Sequence, residues 1–367
     1  MYKNELPFLN VIRGSSALLV LFFHFFIFFF TEQEMSAGLI NAAPLVLADP
    51  FYLPYLLEIP FNIGHLGVAF FFLLSGFFIQ PSLEKYNQIR PFLVHKFLRL
   101  WPTYAFCFAL GLGFVFVFAE LRDDIYPYSF DHILAYFFWT RDIFDYAYID
   151  GSVWSLEVQV KFYIFSALIW YFWRHKFLEA MTAALLFLCT LGYLMKAYGW
   201  FEESSYEYLV FHFNKDVKYW LLITMGTCIY SYYSKKISLQ KFILLGLLLL
   251  GFFVSPLSKY VRAPLMTSYC LGLFLFACSI FFGNIKKRSE RSVSKVMDWF
   301  AKISYPLYVG QVLPGYTVLY YMLEKGVNVY ISLFTAVAVV FPIAIFAHKY
   351  IEKVFASIKV ESIKQEE

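Results

Sequence analysis

The strongest constraint on this chain is the length of its apolar blocks. Stretches of roughly 17–25 predominantly apolar residues recur along the 367-residue sequence, and an α-helix needs about that length to cross the hydrocarbon layer of a bilayer. These blocks lack the alternation of apolar and polar residues that is typical of membrane β-barrels. The sequence therefore predicts an all-α, polytopic integral membrane protein.

The composition supports this prediction. Hydrophobic residues make up 60% of the chain and charged residues 15%, whereas about 25% of a typical soluble chain is charged. The 46 Phe and 29 Tyr residues suit lipid tails and the membrane–water boundary. The five cysteines lie in apolar blocks without a CxxC pair, so neither a zinc site nor a disulfide framework is predicted. We expect a lipid bilayer as the surroundings, and no metal or nucleic-acid partner.

Ten transmembrane helices are predicted, within one transmembrane domain at residues 1–352 that is followed by a short charged cytoplasmic tail at 353–367. A further apolar segment, at about 131–148, carries five ionisable side chains and is too polar to face lipid. We interpret it as re-entrant or interfacial, held against the protein. The predicted spans are about 8–30, 62–80, 99–119, 153–173, 177–198, 217–233, 241–257, 264–283, 299–322 and 328–348.

The distribution of basic residues predicts the orientation. If the N-terminus is cytoplasmic, the inner segments hold 21 of the 30 Lys and Arg residues and the outer segments hold 8, while Lys161 lies within a span. Cytoplasmic loops carry such an excess, so both termini are predicted to be cytoplasmic. Counting 131–148 as an eleventh span would place the basic cluster at 286–302 outside, which disfavours that count.

The first predicted span carries two ionisable residues, Arg13 and His24. Eleven helical steps return to within roughly 20° of the start and rise about 16 Å, so both side chains are predicted on one face. Ser16, Ala17 and Val20 lie between them on that face. Such a stripe of small residues suits a helix that lines a narrow path from the cytoplasm towards the membrane centre.

Two interpretations of this pair stay open on the residues alone. Arg13 could extend to the membrane surface while His24 hydrogen-bonds a neighbouring helix. Alternatively the pair is functional, because ionisable groups at such depth are costly and a neutral imidazole can accept a proton near pH 7.

Five local patterns resemble the acyltransferase-3 family of membrane O-acyltransferases, which are mostly bacterial. They occur in the family's order and cover most of the chain. The patterns are LNVIRG at 9–14 with His24, which gives the R-x10-H pair; GVAFFFLLSGF at 67–77; HKFLRLWPTY at 95–104; WSL at 154–156 with FY at 162–163; and ISYPLY at 303–308.

The resemblance implies an O-acyltransferase that moves an acyl group, usually acetyl, from cytoplasmic acyl-CoA to a hydroxyl of a polysaccharide or glycolipid. It implies that acyl-CoA (acetyl-CoA) is the donor substrate and that the protein lies in a bacterial inner membrane. The family's acidic position in the Trp154 motif falls on Gln159, with Glu157 two residues earlier, and a frequent histidine position falls on Gln311. If the acid is essential, either Glu157 substitutes for it or activity is reduced.

The resemblance also assigns predicted roles. His24 and Arg13 are the predicted catalytic residues, with His24 as base and transient acylation of His24 as the alternative. The donor phosphates are expected at Arg13, Lys96 and Arg99, with Lys302 possible, and the pantetheine arm along the small stripe. The acceptor is expected at four residues near the outer end of the fourth span: Trp154, Ser155, Glu157 and Gln159.

Three alternatives accompany these assignments. Glu157 and Lys161 could form an ion pair four residues apart on one helix, with Trp154 as an interfacial anchor. The chain as a whole could be a proton-coupled transporter or flippase, because an intramembrane Arg and His would suit proton coupling. Because Gln159 and Gln311 are uncharged amides, it could also be a catalytically silent relative that only binds its ligand.

Overall fold

Helices account for every apolar block in the computed structural model, which describes residues 7–124, 126, 128–201, 204, 206–255, 263–282 and 291–358. These residues form no strand. The helices are α1 (Pro7–Phe23, continued by a π-helical turn His24–Phe28 and by Phe29–Thr31), α2 (Gln33–Gly38), α3 (Leu53–Leu57), α4 (Ile63–Tyr86), α5 (Ile89–Glu120), α6 (Phe130–Phe137), α7 (Trp154–Trp173), α8 (Phe177–Ala197), α9 (Glu207–Tyr233), α10 (Leu239–Val254), α11 (Ala263–Phe282), α12 (Arg291–Val309), α13 (Val312–Glu324) and α14 (Val329–Phe346, continued by a π-helical turn Ala347–Glu352 and by Lys353–Ala356).

The all-α prediction is confirmed for these residues. Five helical runs are long and apolar enough to cross a membrane: Phe8–Thr31, Ile63–Tyr86, Ile89–Glu120, Trp154–Ala197 and Val329–Ala356. Two shorter apolar helices lie at Leu239–Val254 and Leu265–Phe281. Ten crossings remain a prediction. The basic residues predicted at 286–288 and the tail residues 359–367 lie outside the described part.

The 44-residue run Trp154–Ala197 is a helical hairpin. A 3-10 turn at Arg174–Lys176 separates α7 from α8. Lys161 of α7 contacts Asp216 of α9, and Gly192 of α8 lies against Asn214, which is also on α9. Because residues on both sides of the turn reach the same short stretch of α9, α7 and α8 run antiparallel.

The polar segment 131–148 contains no helix long enough to cross a bilayer. Its helix α6 has eight residues, which gives a length of about 12 Å. A short 3-10 turn follows at Arg141–Ile143. Trp101 and Tyr104 of α5 donate hydrogen bonds to the carbonyl oxygens of Phe137 and Tyr136, at 2.9 and 2.8 Å. The segment is therefore held against α5, as an interfacial or re-entrant segment would be.

Helix α4 forms the centre of the bundle, with α1, α9 and α11 packed around it and α12 on the other side of α1. Glycines permit the closest approach. A Cβ at Gly67 of α4 would lie 2.7 Å from the Ser16 carbonyl oxygen and 2.8 Å from Val20 Cγ2 of α1. Small residues serve this purpose between membrane helices, where close backbone contact replaces much of the hydrophobic driving force.

The outer faces of the peripheral helices carry large exposed apolar side chains. Phe187 of α8, Leu247 of α10 and Phe334 of α14 are 66%, 64% and 77% exposed. Water would disfavour such surfaces, whereas lipid tails match them.

We use proximal for the end of the bundle at which α1 begins, and distal for the end at which α1 finishes.

Candidate active site

Two departures from regular helix meet at His24. In α1 a π-helical turn begins at His24, so the Phe29 N–H bonds to the His24 carbonyl five residues back. Between α12 and α13 the chain bends at Gly310 and Gln311. Pro314 explains this second break, because its ring lacks an N–H and clashes with the carbonyl four residues earlier, at Gly310. Turns of the π type occur frequently at functional sites.

The break brings Gln311 to His24. The Gln311 side-chain amide lies 3.4 Å from His24 Nδ1, and the Tyr316 hydroxyl donates to the His24 carbonyl oxygen at 3.0 Å. Gln311 is fully buried, and one atom of its amide group has no partner among the described residues. The described residues form no hydrogen bond with the Nε2 atom of His24, and His24 lines a cavity.

This cavity has a volume of about 270 Å³ and lies towards the distal end. Its wall combines aromatic rings with polar groups and comes from α1, α2 with the turn after it, α4, α7, α9, α12, α13 and the loop before α7. The side chains that bear on function are His24, His65, Trp154, Lys215, Tyr219 and Tyr308. A mostly apolar cleft with a few convergent polar groups is typical of a small-molecule site.

His65 is a cavity residue that the sequence analysis missed. The Asn62 side chain caps α4 by accepting from the His65 N–H at 2.9 Å, which fixes His65 in the first turn. Its Nδ1 lies 2.5 Å from the Tyr269 hydroxyl, and its ring lies 5.9 Å from that of Trp154. His65 also interacts electrostatically with His24. The available signal was a histidine two residues before the GVAFFFLLSGF pattern.

Two of the predicted acceptor residues, Trp154 and Ser155, lie at the cavity. The Trp154 ring lines it and lies 5.2 Å from that of Tyr219. The Ser155 hydroxyl is 2.6 Å from that of Tyr308, which also donates to the Ser152 carbonyl oxygen at 3.0 Å. Asp150 accepts from the Ser152 backbone N–H and hydroxyl, both at 2.7 Å, and burial raises the pKa of its carboxyl to about 6.

The other two predicted acceptor residues lie elsewhere. Gln159 is one turn below Ser155 on α7, and its amide bonds to the Ser75 hydroxyl of α4 and to the Tyr163 hydroxyl. Glu157 is 1% exposed and binds Arg141 through two hydrogen bonds, of 3.1 and 2.9 Å. Because Arg141 occupies both carboxylate oxygens, this geometry does not favour the predicted contact between Glu157 and the acceptor.

The Glu157–Lys161 pair considered from the sequence is wrong. Lys161 instead pairs with Asp142 and, at 2.7 Å, with Asp216 of α9. Together with the Arg141–Glu157 pair, these contacts join the loop before α7 to α7 and α9. Lys161 therefore finds its partners outside its own helix.

The predicted donor-binding cations gather at the proximal end, with one exception. Lys96 is 5% exposed and lies 4.5 Å from the Tyr163 ring centroid. Arg99 interacts electrostatically with both Lys96 and Arg13. No carboxylate of the described residues forms an ion pair with any of these three. Lys302 is exposed on α12, and no contact joins it to the group.

The shared face of Arg13 and His24 exists, but the path predicted along it does not. The Arg13 guanidinium carbon is 6.0 Å from the Phe78 ring of α4, and Val20 and His24 line the cavity beside the same helix. Ser16 and Ala17, however, are fully buried, and α4 packs directly against the Ser16 carbonyl oxygen at Gly67. The small residues provide close helix contact, which corrects the prediction that they line an open path.

A second concavity, of about 390 Å³, lies at the proximal end between the start of α5 and the end of α7. It is lined by Arg90, Arg174, Trp170 and Tyr171, among others. Trp170 is 8% exposed, and its indole N–H has no acceptor among the described residues. Two guanidinium groups beside aromatic rings could hold a phosphorylated purine.

The described residues contain no group of three or more His, Cys, Asp or Glu side chains that could hold a metal ion. The arrangement thus consists of a distal cavity with two imidazoles and a proximal group of cations. The α7 residues Ser155, Gln159 and Tyr163 lie between them at four-residue spacing, on one helical face.

Comparison with known proteins identifies the family. A family model for an acyltransferase domain, Acyl_transf_3, matches residues 6–347, which is nearly the whole chain. No curated protein and no solved structure matches it. The apolar helices and this match together indicate a multi-pass membrane protein, and the chain belongs to the acyltransferase-3 family.

Proposed function

We propose that this protein is an O-acyltransferase that moves an acyl group, acetyl in the simplest case, from acyl-CoA to a hydroxyl of a cell-surface polysaccharide or glycolipid. The observation that carries the proposal is the His24 imidazole, held beside the Gln311 amide and open to a 270 Å³ cavity. The donor would enter from the proximal end and the acceptor from the distal end.

His24 needs an unprotonated Nε2 to act on a substrate. In the structure the Gln311 amide nitrogen is the atom 3.4 Å from His24 Nδ1, and the amide oxygen has no partner among the described residues. A lone pair on Nε2 therefore requires the amide to turn over, so that its oxygen accepts from Nδ1–H. Gln311 would then orient the ring, as an Asn does in Cys-His-Asn proteases. Nε2 takes the hydroxyl proton, the oxygen attacks the thioester carbonyl, and the thiolate leaves with that proton. Transient acylation of His24 is the alternative route.

The proximal cations supply the donor site. Lys96 is a buried cation between two aromatic rings, and Arg99 interacts electrostatically with both Lys96 and Arg13. An unpaired buried cation is costly, so the CoA pyrophosphate would offset its desolvation. Arg13 is about 16 Å along α1 from His24. We therefore place Arg13 with the phosphates and not at the reacting carbonyl.

The second concavity would hold the adenosine 3′-phosphate of the donor, with Arg90 and Arg174 at the phosphate. It starts on the first turn of α5 and therefore lies roughly two turns from Lys96. The pantetheine arm, which carries amides, would follow the polar side chains Tyr163, Gln159 and Ser75 towards the cavity. Helices α4 and α7 touch along this row, so they would have to separate when the donor enters.

The acceptor would bind in the distal cavity. Trp154 and Tyr219 present aromatic faces on which a sugar ring can stack, while the Ser155–Tyr308 pair offers hydroxyls. With the proximal end cytoplasmic, as the basic residues predict, the distal end faces the outside. We place the protein in a bacterial inner membrane with both termini cytoplasmic.

The test is acyl transfer by the purified protein in lipid nanodiscs, with acetyl-CoA and a mixture of glycan acceptors. His24→Ala should lower turnover by at least 10²-fold, the range for losing a general base. His175→Ala is the matched control, because His175 is exposed at the turn Arg174–Lys176. Near wild-type transfer by His24→Ala would overturn the proposal.

A proton-coupled transporter or flippase is the second candidate. The break between α12 and α13 at Gly310–Gln311 favours it, because broken helices line the substrate sites of many transporters. Solute movement across proteoliposomes in the absence of acyl-CoA would support this candidate. Turnover of acyl-CoA that stops in His24→Ala would exclude it as the primary activity.

A further inference from the structure

Two histidines on different helices line the same cavity, and each has a polar neighbour at its Nδ1 atom. His24 is held at Nδ1 by Gln311, and His65 is held at Nδ1 by Tyr269. The described residues form no hydrogen bond with either Nε2 atom, and both residues line the cavity. A structural histidine would use both nitrogens within the protein, so this arrangement needs a reason.

The hydrogen bonds around His65 define its protonation. The Tyr269 hydroxyl donates to the Tyr219 hydroxyl at 3.4 Å. Because a tyrosine hydroxyl has one proton, Tyr269 is then free to accept from His65 Nδ1–H at 2.5 Å. The neutral imidazole therefore has its lone pair on Nε2, and the residue lines the cavity. This is the state that a general base requires.

The position of His65 places it on the acceptor side. It lies in the first turn of α4 at the distal end, and its ring is 5.9 Å from that of Trp154, the aromatic face proposed for the sugar. His24 lies deeper, seven residues before the end of the helical run Phe8–Thr31. An acceptor that enters from the distal end would thus meet His65 before it meets His24.

We propose that His65 is a second catalytic base, which takes the proton of the acceptor hydroxyl while His24 carries the acyl group. This proposal rests on the function proposed above, in the alternative route through transient acylation of His24. His24 Nε2 attacks the thioester carbonyl, an N–C bond forms, and the C–S bond breaks to release the CoA thiolate. His65 Nε2 then removes the hydroxyl proton as the oxygen attacks the acyl carbon and the C–N bond breaks. The proton on His65 passes through water to the thiolate, so the reaction balances.

The experiment separates the two half-reactions in nanodiscs. Exchange of labelled CoA into acetyl-CoA reports acylation of the enzyme without acceptor, and label in the glycan reports transfer. His65→Gln should retain exchange within about threefold and lose transfer by 10²-fold or more. His24→Gln should lose both. His175→Gln, at the exposed proximal turn, should lose neither.

Tyr269→Phe provides a second variant in case His65→Gln does not fold. It removes the acceptor of His65 Nδ1–H but keeps the ring, so transfer should fall by about tenfold while exchange persists. The inference is overturned if His65→Gln transfers at the wild-type rate, or if exchange falls together with transfer in a folded protein. If the wild type shows no transfer from acyl-CoA, the proposed function itself fails.

Discussion

The buried Arg141–Glu157 pair allows a quantitative prediction. Their side chains are 3% and 0% exposed and share two hydrogen bonds. Glu157→Leu removes the carboxylate and leaves a buried guanidinium, for which the expected cost is about 3–5 kcal/mol. Arg141 keeps its bond to the Tyr146 carbonyl oxygen at 3.0 Å and its position 4.1 Å from the Tyr148 ring centroid. These contacts place the expected loss near the lower end, about 3 kcal/mol.

Chemical unfolding of the detergent-solubilised protein, followed by tryptophan fluorescence, measures this loss. Glu84→Gln is the control, because it breaks the exposed Lys236–Glu84 pair, whose side chains are 32% and 37% exposed. That change should cost no more than about 1 kcal/mol. The double variant Arg141→Met/Glu157→Leu should recover most of the loss, because no buried charge is left alone. Equal costs for Glu157→Leu and the control, or simple additivity in the double variant, would refute the reasoning.

Four further predictions concern the site and its surroundings. Lys96→Gln should raise the KM for acetyl-CoA about tenfold, in line with one charge-assisted hydrogen bond, and leave the acceptor KM unchanged in steady-state assays. Dephospho-acetyl-CoA, which lacks the 3′-phosphate, should show a higher KM than acetyl-CoA, and Arg174→Gln should abolish that difference. Gln311→Leu should lower transfer by about 10–100-fold, as loss of an orienting partner does at other histidine sites, with no change in donor affinity by calorimetry. The raised pKa of Asp150, about 6, means that the folded protein binds this proton more tightly than the unfolded chain does. The free energy of unfolding, measured by chemical unfolding, should therefore fall as the pH rises from about 4 to about 6, and Asp150→Asn should show a smaller fall.

Span positions could be predicted because hydropathy is a local property. In the described part of the chain each predicted span falls mainly on helix, whereas the orientation drawn from the basic residues stays a prediction. The prediction of one continuous span at 299–322 missed a break in the helix, although the sequence contains a residue that signals it. Pro314, four residues after Gly310, marks the break between α12 and α13.

Contacts between distant residues could not be predicted. Glu157 had Lys161 as its nearest basic residue in the helix, yet Arg141 from the preceding loop takes both of its oxygens. His65 and Tyr269 are 204 residues apart, and no spacing rule joins them. The stripe of Ser16 and Ala17 had two physical meanings, an open path or close helix packing, and only the position of Gly67 on α4 decides between them.

The position of the site follows from where the helices lose regularity. A continuous α-helix satisfies its own backbone, so its side chains can pack against lipid or protein without further polar partners. At His24 the π-helical turn gives the carbonyl two donors, Phe29 N–H and the Tyr316 hydroxyl. At Gln311 the break turns a buried amide towards the imidazole. The π-helical turn in α1 is contacted by Tyr316 of α13, and the break before α13 is contacted by His24 of α1. We infer that the two breaks are required together, because straightening either helix would separate His24 from Gln311.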